Sequence, residues 1–446
     1  MQEVAPVSRK IKYRTVDVHS VDAPRLSAKL GGAGSRCIVA VDIAKEKMVA
    51  GFANAAGVCE SLVHFSHPTQ TLVFIALLVA LRELGLTVEV AMEPTGVYGS
   101  SLRHQLTKRS FDVFRVDPNR AFAMRSVLDG VPSVHDAKAC TLIAYLHAQQ
   151  LSSKWRERDD RERKMRALMD ERRMYEAVVE RGRGHIEAVV SEFFPELSAR
   201  IDHSRGWHLF LLQRFPSPAQ IAAAPEEVRE LLRRVSRGQI SATRIAEIIS
   251  AAEGSLGAPM SEDEARRVST LATMLLQYRE ALADLDARVH EAVGSDKQLT
   301  HVAALIGAVA TAAILADLGD PSQYGSSAAL EKAFGLNLKE TSSGISQSPL
   351  RITKRGAPRP RKYLFLAVLR IIRSDPVVRA WYEQRSSFKA GDKLKAVVAV
   401  MRKIARAIVH LARGTPFEAA KLFDVRRLTL PPSNAVEPTG TPTSLA

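Results

Sequence analysis

An aspartate interrupts an otherwise apolar run, Cys37-Ile-Val-Ala-Val-Asp-Ile, near the start of this chain. A short run so rich in β-branched residues is typical of a buried strand. A carboxylate buried there without a partner would be unfavourable by several kcal/mol. Asp42 therefore has a partner, or it lies at an open strand end that a cation can reach.

The segments after this run predict a mixed α/β layer. Two more strands and a helix come first, and strands then alternate with helices. The predicted strands are 48–52, 58–65, 88–93 and 112–116, and the predicted helices are 69–84, 98–108, one opened by Pro118, and 137–149. This order favours an α/β domain over residues 36–152.

The middle of the chain, residues 153–297, predicts long helices. One heptad frame from Leu168 to Phe193 is interrupted by Arg172 and Gly182. A second frame runs without a break, as the a/d seam of a coiled coil does. It consists of Val268, Leu271, Leu275, Tyr278, Leu282, Leu285, Val289 and Ala292. Two long helices could pack within one chain, but we favour an antiparallel coiled-coil arm that also dimerises.

Three further segments complete the expected organisation. Residues 298–415 predict a helical domain with basic, glycine-containing connections. Residues 1–35 are basic and end in glycines, which favours a flexible arm. Residues 416–446 are rich in Pro, Ser and Thr towards their end, which favours a disordered tail. The predicted fold class is therefore α/β plus all-α.

The charge balance favours a polyanionic partner. The 446 residues include 63 Lys and Arg against 48 Asp and Glu, a formal charge of +15. Each basic side chain placed on a phosphate releases a condensed counterion, so a basic excess is a footprint of nucleic-acid binding. No apolar run approaches the ~20 residues that span a bilayer. With three cysteines in no metal or disulfide pattern and no signal peptide, we expect a cytoplasmic protein without a membrane partner.

Three carboxylates stand at ends of these predicted elements: Asp42, Glu93 and Asp136. Each has an ordinary explanation, as a strand-edge residue, a solvated strand end and a helix N-cap. Together, on a first strand, at the end of a fourth strand and at a later helix, they have the layout of a ribonuclease-H-like nuclease. Carboxylate oxygens suit Mg²⁺, which can assist phosphodiester chemistry, so Mg²⁺ is the predicted cofactor.

A set of short motifs resembles the DEDD transposases, the insertion-sequence recombinases that use a bridge (seeker) RNA and are related to Piv-type invertases. The motifs are VDIAKEK at 41–47, EPTGVY at 93–98, VDP at 116–118, DAK at 136–138, AFGL at 333–336, SSG at 342–344 and RITKRG at 351–356. The resemblance implies a RuvC-like N-terminal domain and a C-terminal transposase domain. It assigns Asp42, Glu93 and Asp136 as catalytic, metal-binding residues.

The third acidic motif departs from the family pattern, Asp-x-x-Asp-Ala. Ala139 stands three residues after Asp136. Positions i and i+3 share a helix face, so a second carboxylate there would reach the same metal site. The chain is then a divergent member, a neighbour such as His135 substitutes, or it is an engineered inactive variant, which we favour.

The resemblance also assigns a nucleophile. The serine directly before Gly344 aligns with the family's nucleophile, which attacks a DNA phosphodiester and forms a phosphoserine link. That residue is Ser343, with Ser342 as the alternative. In the family the serine domain of one subunit meets the nuclease-like domain of another, which implies a homodimer or homotetramer.

A basic cluster follows the serine, and proline and glycine interrupt it, so that it is not one helix face. Its members are Arg351, Lys354, Arg355, Arg359, Arg361 and Lys362. We assign it to DNA or RNA phosphate contacts without base readout.

The leading hypothesis is an RNA-guided DNA recombinase (transposase) that cleaves and rejoins insertion-sequence DNA. Its expected partners are a guide RNA with donor and target DNA, in the bacterial cytoplasm near the nucleoid. One alternative is a catalytically inactive nucleic-acid-binding scaffold, which Ala139 favours. The other is a RuvC-like junction-resolving nuclease that hydrolyses DNA instead of transferring it.

Overall fold

The computed structural model describes residues 13–94, 96–126, 130–132, 135–201, 205–340, 342–343, 346–347, 350–386 and 392–428. The chain divides into two compact units, Met1–Glu157 and Arg158–Ala446. The predicted regions 153–297 and 298–415 thus fall almost entirely within one unit.

Within the described residues of the first unit, seven strands form one mixed sheet in the order β1-β4-β3-β2-β5-β6-β7. The strands are β1 (Val16–Asp17), β2 (Arg36–Asp42), β3 (Lys47–Ala53), β4 (Cys59–Ser66), β5 (Thr87–Met92), β6 (Asp112–Val116) and β7 (Ser152–Lys154). The helices are α1 (Ala23–Lys29), α2 (Thr71–Glu83), α3 (Ser100–Lys108), α4 (Pro118–Met124) and α5 (Asp136–Ala148). Strands β2, β5 and β6 run parallel, whereas β3 is antiparallel to both β2 and β4.

Both faces of this sheet are covered, which explains why β2 is apolar throughout. Side chains alternate between the two faces of a strand. Cys37, Val39 and Val41 pack with α1, α2 and α3 in one core. Ile38 and Ala40 pack with α4 and α5 in the other core. The first unit is a helix–sheet–helix layer, as the sequence predicts for an α/β domain.

The segment before β2 is folded, so the flexible arm predicted over residues 1–35 is wrong for residues 13–35. Strand β1 pairs in parallel with β4, and α1 packs on the same face of the sheet as α2. Val18, Leu26 and Leu30 are buried in that core. The basic charge and terminal glycines suggested flexibility, but these few apolar residues extend the sheet and its cover.

Helix α5 is fixed to the sheet along its length. Gly51 allows the close approach, because a Cβ there would lie 3.1 Å from the Cβ of Cys140. At the end of α5, His147 Nε2 lies 2.8 Å from Glu89 Oε2, which also accepts a bond of 2.8 Å from Arg36 Nε. Burial alone would raise the pKa of Glu89, but the bonds from Arg36 and His147 outweigh it and hold that pKa below its usual value. These contacts set the position of the helix whose first residue is Asp136.

The second unit is mainly helical. Its helices are α6 (Asp160–Phe193), α7 (Pro195–Ser198), α8 (Trp207–Arg214), α9 (Pro218–Ala223), α10 (Pro225–Val235), α11 (Ala242–Glu253), α12 (Glu262–Gly294), α13 (Lys297–Ile306), α14 (Ala308–Leu318), α15 (Ser327–Ala333), α16 (Pro358–Ser374), α17 (Pro376–Ser386), α18 (Asp392–Ala412) and α19 (Ala419–Leu422). Its short strands are β8 (Leu338–Lys339), β9 (Ser342–Ser343), β10 (Ser346–Gln347) and β11 (Arg351–Ile352).

Helices α6 and α12 run antiparallel through two cores, which makes the two predicted regions one unit. Helices α7 to α11 share a core with the second half of α6 and the first half of α12. Helices α13 to α18 share a core with the other two halves. The seam of α12 thus packs within its own chain, and dimerisation of the arm remains a prediction.

The two residues that interrupt the α6 heptad frame, Arg172 and Gly182, both contact α12. A Cβ on Gly182 would lie 2.3 Å from Cδ2 of Leu275, so glycine permits the close helix crossing. Arg172 Nε donates to Asp286 Oδ1 at 2.7 Å. A heptad pattern shows neither a backbone contact nor an ion pair, since both depend on the facing helix.

The disordered tail predicted over residues 416–446 is wrong for residues 416–428. Phe423 is fully buried, and its ring lies 5.2 Å from that of Trp381. The remaining tail is outside the described residues. Among the described helices, none has the length and apolar character that crossing a membrane requires.

Candidate functional site

The carboxyl ends of three neighbouring parallel strands carry acidic residues. Asp42 ends β2, and Glu93 directly follows β5. Asp117 directly follows β6 and is the N-cap of α4. Strand β5 pairs in parallel with both β2 and β6, so these residues share one edge of the sheet. We call Asp42, Glu93, Asp117 and Asp136 the acidic edge.

Asp136 reaches this edge from α5. His135 is the N-cap of that helix, and its Nδ1 accepts a bond of 3.3 Å from the backbone N of Lys138. Lys138 is fully buried and its ammonium donates to the carbonyl of Val131. The charges of Asp136 and Glu93 both act on Asp42, which puts Asp42 within electrostatic reach of the other two carboxylates that the sequence singles out.

Electrostatic repulsion marks the acidic edge. Burial raises the pKa of Asp42 to about 7, and the charges of Asp136 and Glu93 add to the shift. Burial also raises the pKa of Glu93, and the charge of Asp117 adds to that. Within the described part of the chain, none of the four carboxylates forms an ion pair with Lys, Arg or His. Among the residues that the structure describes, no cationic side chain is paired with them.

The donor chemistry fits a hard divalent cation, since carboxylate oxygens are the ligands that Mg²⁺ prefers. The spacing is looser than that of a closed metal site. Among the residues that the structure describes, no three His, Cys, Asp or Glu side chains lie close enough to hold a metal ion together. The acidic edge therefore has the right donors and charge for a cation, without a ready-made cage.

The sequence analysis does not single out Asp117, although the VDP motif at 116–118 contains it. The signal was available, because an Asp-Pro pair after a strand repeats the Glu-Pro pair after β5. What the sequence did not show is that β5 and β6 are neighbours, which places Asp117 beside Glu93.

Ser342 and Ser343 lie in the second unit, in a β-hairpin. Strand β8 pairs with β11, and within that pair β9 pairs with β10, with Ser343 opposite Ser346. The base of the hairpin is fixed by Thr353, whose Oγ1 donates to Asn337 Oδ1 at 2.7 Å. The side chains of both serines and all of Gly344 are outside the described residues, so Ser343 as nucleophile stays a prediction.

The six basic residues predicted to contact phosphates fall into two groups. Arg351, Lys354 and Arg355 are exposed next to the hairpin. Lys362 is exposed too, with Nζ 3.4 Å from Glu176 Oε2. These four positions remain compatible with the prediction.

The other two members of the cluster are engaged inside the protein. Arg359 is 11% exposed and lies between Asp317, at 2.6 Å, and Asp170, at 2.7 Å. Arg361 donates to the carbonyl of Phe334 at 2.8 Å. Both side chains thus have partners within the protein, and their contact with nucleic acid stays a prediction.

The chain matches a known protein family over part of its length. Residues 304–383 match the family described as Transposase IS116/IS110/IS902. The match begins in α13 and ends in α17, so it includes the hairpin of Ser343 and the basic cluster but not the acidic edge. It supports an IS110-type transposase and hence a DNA-recombining enzyme. No curated protein matches the chain significantly.

Proposed function

We propose that this chain is an RNA-guided DNA recombinase that cuts and rejoins insertion-sequence DNA through Ser343 and a cation-binding acidic edge. The family match over residues 304–383 carries the proposal, because it spans the segment that contains Ser343. The first unit supports it with a mixed sheet whose strand order suits a ribonuclease-H-like, RuvC-like domain.

The chemistry is a phosphoryl transfer in two steps. The Oγ of Ser343 attacks a DNA phosphodiester, its proton passes to solvent, and a P–O bond forms as the bond to the leaving strand breaks. The released strand oxygen takes up a proton. A hydroxyl of another strand then attacks the phosphoserine: a new strand P–O bond forms as the bond between phosphorus and Ser343 Oγ breaks, the hydroxyl loses its proton to solvent, and Oγ takes one up. The bond energy is conserved, so no ATP is needed. Ser342 is the alternative nucleophile.

The acidic edge supplies the electrostatics of the reaction. Asp42, Glu93 and Asp136 would hold Mg²⁺, which when bound polarises a phosphate oxygen and lowers the barrier to attack. Without a cation, the same carboxylates would repel the phosphate.

The exposed residues of the basic cluster hold nucleic acid by its backbone. Arg351, Lys354 and Arg355 would contact phosphates and fix the strand next to the hairpin, with no sequence information of their own. Sequence choice would then come from pairing with a guide RNA. A homodimer or homotetramer would let the hairpin of one copy meet the acidic edge of another.

The guide can be tested by purifying the full chain without nuclease and sequencing the RNA that survives a high-salt wash. A single structured RNA supports the proposal and supplies the targets for a strand-exchange assay. A heterogeneous mixture, or no RNA, would contradict RNA guidance.

The second candidate is a nucleic-acid-binding scaffold without catalysis. Ala139 favours it, because a carboxylate is missing on the exposed side of α5 next to Asp136. The strand-exchange assay separates the two, since a scaffold would bind the RNA and DNA but exchange no strands with Mg²⁺ present.

A further inference from the structure

Few aromatic side chains of this protein are exposed, and two of them follow the acidic edge. Among the residues that the structure describes, the exposed aromatic side chains are Tyr98, Phe122 and Phe210. Tyr98 and Phe122 each stand five residues after a carboxylate of the acidic edge, Glu93 and Asp117 respectively. Because these carboxylates follow the neighbouring strands β5 and β6, both aromatic residues lie on segments that leave the same edge of the sheet.

Phe122 is the more exposed of the two, and it lies on α4, the helix that Asp117 caps. Its side chain is 63% exposed, whereas the preceding residue, Ala121, is buried in the core that α4 shares with α5. At about 1.5 Å per residue, Phe122 is about 7 Å along the helix from Asp117. One or two nucleotides of a DNA strand span about this distance.

Arg125 covers one face of the Phe122 ring and leaves the other face open. Its Cζ lies 3.4 Å from the ring centroid, and its Nη1 donates to the Phe122 carbonyl at 2.8 Å. Arg125 is also the C-cap of α4, so the end of the helix holds the guanidinium against the ring. Because a ring covered on one face is still mostly exposed, the other face is accessible to a planar ligand. Aromatic rings and guanidinium planes are the surfaces on which unpaired bases stack.

The same helix carries positive charge without an acidic partner. Arg120 is exposed, and its Nη1 donates to the carbonyl of Leu151 at 3.0 Å. In the part of the chain that the structure describes, neither Arg120 nor Arg125 forms an ion pair. Their charge is therefore available to the phosphates of a nucleic-acid strand that passes over Phe122.

We propose that Phe122 and Arg125 form a stacking platform for an unpaired base of the DNA strand that is cut at the acidic edge. This inference rests on the proposed function, which puts the reacting phosphodiester at that edge. Stacking on the open face of Phe122 holds a nucleotide close to the reacting phosphate, with Arg120 beside its backbone. The platform reads no sequence, because every base has an aromatic face.

The test is binding of the full chain to single-stranded DNA oligonucleotides that carry 2-aminopurine, whose fluorescence falls when it stacks. Phe122→Ala should bind about fivefold more weakly or worse and lose the quenching, whereas Phe122→Trp should keep both. The slope of log affinity against log salt should be the same in Phe122→Ala as in the unmodified chain, because no phosphate contact is removed.

Leu72→Ala is the matched control. Leu72 has the same exposed fraction, 63%, and it lies on α2, which covers the other face of the sheet. We expect this variant to bind and quench as the unmodified chain does. An equal loss in Leu72→Ala would show that any exposed apolar side chain of this unit has the effect, and would contradict a platform at Phe122.

Three results for Phe122→Ala would overturn the inference. The first is unchanged affinity and quenching. The second is weaker binding to single-stranded RNA of the same sequence with no loss for DNA, which would assign the platform to RNA. The third is an altered oligomeric state in size-exclusion chromatography with DNA binding intact, which would show that Phe122 contacts a second copy of the chain.

Strand exchange, measured with the co-purified RNA and Mg²⁺, separates failure of this inference from failure of the proposed function. If the unmodified chain exchanges strands and Phe122→Ala binds DNA and exchanges strands equally well, the proposed function stands and the platform is refuted. If the unmodified chain exchanges no strands, the proposed function fails and the inference fails with it.

Discussion

Two regions of this protein contain clusters of carboxylates, and they differ in whether those carboxylates are paired with arginines. In the second unit, Asp317 and Asp170 lie between Arg359 and Arg166, with nitrogen–oxygen distances of 2.6–3.0 Å. In the first unit, the carboxylates of the acidic edge have no ion-pair partner among the described residues. Burial and the charges of neighbouring carboxylates raise the pKa of Asp42 and of Glu93. Charges that the protein neutralises itself stabilise the fold. Charges that it gathers and leaves unpaired are available for a cation or a reaction.

The largest effect should follow from neutralising Asp42. Asp42→Asn removes a half-buried charge that Asp136 and Glu93 repel. We expect strand exchange to fall about a hundredfold or more, the upper range for loss of a metal-site group. Thermal unfolding should show no loss of stability, since the amide relieves repulsion.

Asp22→Asn provides the control for strand exchange, because Asp22 caps α1 with Oδ1 2.7 Å from Arg25 N and is not part of the acidic edge. Two results would contradict this role of Asp42: strand exchange that is retained in Asp42→Asn, or a melting temperature that falls as it does when an ion pair is broken. Either result would show that Asp42 stabilises the fold instead.

For Asp317 we expect a loss of stability, the opposite of the result expected for Asp42. It is 13% exposed and binds both Arg359 and Arg166. Asp317→Asn should destabilise the protein by about 2–3 kcal/mol, because it removes charged hydrogen bonds to both guanidinium groups and leaves them only Asp170 as a shared carboxylate. Denaturant unfolding measures this loss.

The matched control is Asp284→Asn, which removes an exposed pair with Arg288 at 3.8 Å. It should change stability by less than about 1 kcal/mol. Equal effects of the two substitutions would remove the distinction between buried and exposed pairs.

The crossing of α6 and α12 gives a smaller effect without any charge. Gly182→Ala places a Cβ 2.3 Å from the end of the Leu275 side chain. Overpacking of this kind costs about 1–3 kcal/mol. Gly184→Ala, in the same helix with open space around it, should instead stabilise by up to about 1 kcal/mol. If both substitutions stabilise the protein, or both destabilise it, the close crossing of the two helices at Gly182 is contradicted.

The smallest expected effects distinguish the exposed members of the basic cluster from those with partners inside the protein. Arg351→Ala should weaken RNA and DNA binding uniformly and lower the slope of log affinity against log salt by about one. Arg359→Ala should leave that slope unchanged and lower the unfolding free energy. Filter binding at several salt concentrations, with denaturant unfolding, checks both. If Arg359→Ala lowers the salt slope and Arg351→Ala does not, Arg359 is the residue that contacts phosphate.

The sequence predicts best what depends on neighbours along the chain. The strand that ends at Asp42 follows from its apolar, β-branched run, and the long α12 follows from its heptads. The sequence alone did not place Asp117 beside Glu93 or Arg359 beside Asp170, because the topology sets these contacts. Glu93 comes beside Asp117 only through strand pairing, and Asp170 is far from Arg359 in sequence. The folded segment before β2 was missed because its few apolar residues form a core only with the sheet.

The most direct test of the whole account is peptide mass spectrometry of the protein trapped on nicked DNA with its co-purified RNA and Mg²⁺. The account predicts a nucleotide phosphate on Ser343 in the unmodified chain and none in Asp42→Asn, with Ser342→Ala still trapped. DNA cleavage without any serine adduct, or an adduct that forms equally without Asp42, would contradict it.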